Sequence, residues 1–174
     1  MKNNIVLIGF MGSGKSITGK LLAQRLGCTF VDADAEIERA YKTKIKDMFA
    51  KEGEPVFRRR ETKIIKHLAQ KQRLVISTGG GVAAKDEDMT ALRQSGIVIS
   101  LAAQPSTIFK RTGGEKRPLL AKQSDDERFR AIVELMKKRE KYYRSADLII
   151  DTDDRTPLQN VELIIKYLKK INWK

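Results

Sequence analysis

The chain has 174 residues, 41% of them hydrophobic, with 35 Lys and Arg against 22 Asp and Glu for a net charge of +13; this predicts one domain, residues 1–174, with a real core. A single cysteine, Cys28, excludes an internal disulfide and fits a reducing compartment, and one histidine leaves no Cys/His cluster for zinc. The apolar run Ile5 to Ile8 is too short to cross a bilayer and lacks the layout of a signal peptide, so a soluble, cytoplasmic protein with no membrane partner is expected.

Along the chain, short β-rich runs alternate with longer amphipathic stretches, the pattern of an α/β fold with a parallel sheet flanked by helices. Five strands are expected, at Ile5 to Ile8, Thr29 to Val31, Leu74 to Ser77, Ile97 to Leu101 and Leu148 to Ile150, each apolar enough to be buried on both faces. The first helix should run from about Gly14 to Arg25, and a helical region from Ala35 to about Gln70 should break near Gly53 and Pro55. Shorter helices are expected at Asp88 to Gln94 and Pro105 to Thr112. Asp125 to Tyr143 and Thr156 to Lys170 read as long helices, the second with Thr156 as N-cap and Pro157 in its first turn. Gly113 to Ser124 has no periodicity, and a loop of that length inside a compact domain suggests a lid or binding loop.

Eight of the 12 glycines cluster at 9, 12 and 14, at 79 to 81, and at 113 to 114. The first group lies in Gly9-Phe10-Met11-Gly12-Ser13-Gly14-Lys15-Ser16, a phosphate-binding loop placed after a strand and before a helix, as that motif requires. Gly12, Ser13 and Gly14 would let backbone N–H groups cradle phosphate oxygens, helped by the helix N-terminus. Lys15 supplies a charge for the β- and γ-phosphates, and Ser16 a hydroxyl for Mg²⁺, so ATP and Mg²⁺ are the expected cofactors.

The second strand ends in Val31-Asp32-Ala33-Asp34, two carboxylates at the C-terminal edge of the sheet, where open α/β proteins bind ligands. In an extended segment both point the same way; one could support Mg²⁺ and the other orient or deprotonate an acceptor hydroxyl, unless Asp34 simply caps the next helix. Thr78-Gly79-Gly80-Gly81 lets backbone pass close to a ligand, or forms a packing turn. Of Arg58, Arg59 and Arg60, at most two can face one site on a helix. Arg117 lies in the aperiodic loop and Arg139 near the end of a long helix.

Together these pieces, with Glu52-Gly53-Glu54, Phe57-Arg58, Glu61, Arg117-Pro118-Leu119-Leu120 and Arg139 with Tyr143, resemble the shikimate kinases over nearly the whole chain. The resemblance implies a three-layer P-loop kinase fold of the nucleoside-monophosphate-kinase type, with a mobile lid at about 113–124. It also implies transfer of the ATP γ-phosphoryl group to the 3-hydroxyl of shikimate. By the same resemblance Lys15 binds phosphates, Ser16 binds Mg²⁺ and Asp32 supports it through water. Asp34 binds the shikimate hydroxyls and could act as base. Arg58 and Arg139 grip the carboxylate, Gly80, between Gly79 and Gly81, offers backbone contact, and Arg117 comes in with the lid. Arg111, Arg155 and Pro157 correspond to positions flanking adenine. The family usually continues the loop as Ser-Thr, whereas Ile17 stands here, so a hydroxyl contact to the nucleotide is lost at that position.

A carboxylate for hydroxyls and guanidinium groups for an acid also make physical sense for a small polyhydroxy acid. A gluconate kinase or nucleoside-monophosphate kinase is the nearest enzyme alternative. The high charge raises a non-enzyme one, a basic ATP-binding protein contacting nucleic acid. Basic residues are interspersed with acids and only 6% of residues are aromatic, so no specific nucleic-acid partner is expected. A monomer is expected. Cys28 and His67 carry no mechanism.

Overall fold

The computed structural model describes residues 3–82, 85–113 and 124–173. In chain order the elements are β1 (Asn4–Ile8), α1 (Lys15–Leu26), β2 (Thr29–Asp32), α2 (Ala33–Tyr41), α3 (Ile45–Glu52) and α4 (Glu54–Ala69), then β3 (Leu74–Ser77) and α5 (Asp86–Ser95). β4 (Gly96–Ala102), α6 (Pro105–Arg111), α7 (Asp125–Arg144), β5 (Leu148–Asp151) and α8 (Pro157–Lys170) complete the chain. The strands form a parallel sheet in the order β2-β3-β1-β4-β5.

β1 sits at the centre because every one of its residues is buried, as a run of Val, Ile and Leu between two helical layers requires. Val6 and Ile8 face a layer built from α2, α4 and α5, in which Ile37, Ile65 and Leu92 are fully buried. Ile5 and Leu7 face the layer of α1 and α8, with Leu22, Val161 and Ile164. Gly19 is what lets α1 sit close: a methyl group there would stand 2.7 Å from the Phe30 ring. From β1 the chain first builds one side of the sheet and then the other, so the C-terminal end of β1 is the switch point where α/β sheets open a ligand crevice.

Three expectations change. β2 and β5 are edge strands and not buried on both faces: β2 is at best half-buried, and Ile149 in β5 is 49% exposed. The helical region after β2 breaks twice. The second break is the expected one at Gly53, and the first follows Lys42, which takes a left-handed φ of 49° and closes α2. Asp34 is not extended beside Asp32 but lies in the first turn of α2. Nor does it cap that helix. Asp32 does, accepting from the backbone N–H groups of Asp34 at 3.1 Å and Ala35 at 3.4 Å.

Candidate active site

The phosphate-binding loop joins β1 to α1. Gly9, Gly12 and Gly14 all have positive φ, at 146°, 78° and 92°, conformations that carry the chain around a concave turn and that side chains resist. The first turn of α1 holds no acidic residue, so its N–H groups and dipole face the cleft uncompensated. Lys15 reaches back across the loop, donating to the carbonyls of Gly9 at 3.0 Å and Phe10 at 2.9 Å. Ser13 Oγ is buried with no hydrogen-bond partner among the described residues, a spare donor at the floor of the loop.

Ser16 Oγ donates to Asp32 Oδ2 at 2.7 Å and lies 3.4 Å from Ser77 Oγ at the end of β3. This hydroxyl and carboxylate form a hard-oxygen pair beside the loop, the donor chemistry Mg²⁺ takes when it keeps most of its water and shares phosphate oxygens. Ser77 was not foreseen from sequence, because only the β2-β3 pairing of Asp32 with Ser77 brings it there.

The loop opens into a cleft of about 610 Å³ running from Asp32 and Asp34 past Lys15 to Arg111, Arg155 and Pro157. Arg111 is held by the Thr152 carbonyl at 2.7 Å and its hydroxyl at 3.2 Å; Arg155 bonds the Asp151 carbonyl at 2.5 Å. Thr152 was missed by sequence reasoning, which had no means of pairing α6 with the end of β5. Ile17 lines the same cleft and is 59% exposed, an apolar surface among polar groups.

Asp34 and Gly80 line this cleft and also a second, smaller pocket of about 140 Å³. Arg58, Glu61 and Arg139 complete its polar lining. Arg58 uses three N–H groups on its own helix, two to Glu54 at 2.9 and 3.0 Å and one to Glu61 at 2.7 Å. Glu54 and Glu61 stand four residues before and three after Arg58, a spacing visible in the sequence as one helix face. Arg59 points to solvent, while Arg60 bonds Glu52 and covers the Tyr41 ring, so one arginine of the three reaches the pocket. Arg139, 5% exposed, donates to the Gly80 carbonyl at 2.7 Å and lies over Phe10.

Two of the three glycines are needed where they stand. A Cβ on Gly79 would run into Asp34 Oδ1, and one on Gly81 into the Arg58 guanidinium. Burial pushes the Asp34 carboxyl above its usual range and Asp32 adds to this, while Lys15 and Arg58 pull it back. Burial likewise raises Glu61, opposed by Arg58.

Arg117 and the rest of the expected lid, apart from Gly113 and Ser124, lie outside the described residues. Ser124 caps α7 in a capping box with Glu127. Cys28 is half-buried against the α1/α8 layer and His67 is exposed; neither enters the site.

A cleft shaped for polyphosphate that meets, at a single carboxylate, a small pocket with two arginines among apolar side chains gives a phosphoryl donor and an acceptor adjoining places. With the sheet order and loop, this defines a P-loop kinase acting on a small molecule. A family model described as shikimate kinase matches residues 11–169, and the chain belongs to the shikimate kinase family. It is 45% identical over 163 residues to the shikimate kinase of Persephonella marina, covering 93% of this chain and 96% of that one. It is also 45% identical over 170 residues to that of Thermodesulfovibrio yellowstonii, covering 97% and 96%. Among solved structures, shikimate kinase from Acinetobacter baumannii in complex with shikimate superposes with a TM-score of 0.92 at 36% identity, covering 99% of this chain and 96% of that one.

Proposed function

We infer that this chain transfers the γ-phosphoryl group of ATP to the 3-hydroxyl of shikimate, giving shikimate 3-phosphate and ADP. Family membership supplies the reaction, and one observation carries its assignment to these residues: Asp34 and Gly80 stand on the boundary shared by the large cleft and the small pocket. A γ-phosphoryl group held by the loop would reach that boundary, as would a hydroxyl held by Asp34.

Lys15 exchanges its hold on the Gly9 and Phe10 carbonyls for β- and γ-phosphate oxygens, remaining beside the loop throughout. Gly12, Ser13, Gly14 and Ser16 present N–H and O–H donors to the same oxygens. Arg111, Arg155 and Pro157 flank the base, with Ile17 covering the nucleotide through apolar contact. Ser16 and Asp32 hold Mg²⁺, which neutralises phosphate charge when bound.

Arg58 and Arg139 pair with the acceptor carboxylate. Arg58 keeps two N–H groups beyond those bonded to Glu54 and Glu61, enough for a forked contact. Asp34 orients the acceptor hydroxyl and accepts its proton. The backbone of Gly79 to Gly81 forms the pocket wall, with Asp34 leaving no room for a side chain at Gly79 and Arg58 none at Gly81. A lone cysteine suits the cytoplasm, and a monomer there is part of this reading.

Asp34→Asn tests the base assignment. It keeps size and removes charge, and turnover is expected to fall ~10²-fold or more with shikimate Kd changed far less. If shikimate affinity falls while turnover at saturation holds, Asp34 binds the acceptor and is not its base.

A further inference from the structure

Behind the small pocket, the helix that carries Arg58 is tied to the glycine wall by a half-buried lysine. Lys85 stands at the N-cap of α5, four residues beyond Gly81. Its ammonium donates to the Arg58 carbonyl at 2.7 Å and to Thr62 Oγ1 at 2.9 Å. Residues 58 and 62 are one turn apart on α4, so a single cation seats on the turn that begins with Arg58. Thr62 in turn donates to Asp88 Oδ2 at 3.2 Å. Asp88 is wholly buried, and its Oδ1 has no hydrogen-bond partner among the described residues. A carboxylate kept there without a second partner costs stability, and the nearby Lys85 charge offsets part of that cost.

This arrangement fixes what Arg58 cannot fix for itself. Its guanidinium is bonded only to Glu54 and Glu61 among the described side chains, both on α4, so the head group moves wherever that turn of the helix moves. The opposite wall, Gly79 to Gly81, is joined to Lys85 by backbone hydrogen bonds: the Lys85 N–H donates to the Val82 carbonyl at 3.2 Å, and the Val82 N–H to the Gly79 carbonyl at 3.2 Å. In a pocket of about 140 Å³, the spacing between turn and wall decides whether a carboxylate meets both arginines.

We propose that Lys85, acting through Thr62 and Asp88, is a positioning residue for the acceptor: it sets the spacing between the Arg58 turn of α4 and the Gly79–Gly81 wall. The proposal rests on reading the Arg58 pocket as the acceptor site. It predicts an effect on acceptor affinity and none of comparable size on the nucleotide or on the chemical step.

Lys85→Met keeps the stem and removes the ammonium, and Thr62→Val keeps the shape and removes the relay hydroxyl. For both, shikimate KM and equilibrium Kd should rise ~10-fold, as expected when a binding group is misplaced by about an ångström, with kcat and ATP KM within about threefold of wild type. A purely structural defect would move both substrates together, and that result overturns the proposal. Arg58→Met is the control. If it raises shikimate Kd while Lys85→Met and Thr62→Val leave it within about threefold, the positioning role is wrong and the acceptor site stands. If Arg58→Met also leaves Kd unchanged, the acceptor reading fails and the proposal with it.

Discussion

Lys15 and Glu61 show how differently two buried charges serve one site. Lys15 is 8% exposed and donates to the Gly9 and Phe10 carbonyls of its own loop, with the cleft of the phosphate-binding loop beside it. Lys15→Met should lower turnover by at least ~10²-fold, the scale of losing a preorganised cation at a developing phosphate charge. Its melting temperature should stay within a few degrees of wild type, because the apolar stem is retained. A folded variant with near-normal turnover would remove Lys15 from the mechanism. Glu61 is 1% exposed, and burial raises its carboxyl despite Arg58 beside it, with Asp34 and Asp88 adding to the rise. The native state therefore takes up this proton at higher pH than the unfolded chain does. The cost of ionisation is fully present at neutral pH and is relieved as pH falls into the carboxylate range. Relative to Glu61→Gln, wild type should gain thermal stability between pH 7 and about pH 4.5 in calorimetric scans. Parallel pH profiles for the two proteins would contradict the burial-raised carboxyl. Glu61 was present in the sequence pattern without a role: its spacing from Arg58 on one helix face was legible, but the burial that raises its carboxyl comes only with packing.

At the scale of elements, the strap after β3 shapes the small pocket and the caps fix where helices start. Gly79→Ala would drive a methyl group into Asp34 and within 3.2 Å of Glu61 Oε1. Shikimate KM should rise ~10-fold or more, since small displacements of a positioned group are costly, while ATP KM holds within about threefold. Equal changes in both constants would mean that the strap shapes the fold and not the acceptor pocket. α8 begins with a capping box between Thr156 and Gln159 and with Pro157 in its first turn. Thr156→Ala should cost about 1 kcal/mol in urea unfolding, with Pro157 left in the cleft. The Thr156 cap with Pro157 behind it, the loop from Gly9 to Ser16 and the apolar runs of β1 and β3 were legible because their signals are local. The break after Lys42 was not, as no glycine or proline marks it. The edge position of β2 was not either, because strand order depends on where a crossover lands and leaves no mark in the strand itself. Asp34 was placed in the right neighbourhood but on an extended segment. The chain turns helical at Ala33 once Asp32 supplies the cap.

For the whole molecule, sheet order decides the site. Because β1 lies between β3 and β4, the phosphate loop, the Asp32 end of β2, the glycine strap after β3 and the α6 segment after β4 converge on one end of the sheet. The net charge of +13 suits two anionic substrates without requiring a nucleic-acid partner. Binding to duplex DNA should be weak at physiological salt, fall steeply as salt rises and show no sequence preference. Submicromolar, sequence-selective binding at that salt would give the charge a different purpose. The central claim is the identity of the acceptor, and its most direct test is ADP release with Mg·ATP against shikimate, gluconate, nucleoside monophosphates and water. Stimulation by shikimate alone is the predicted result, and turnover stimulated only by another acceptor would contradict the account.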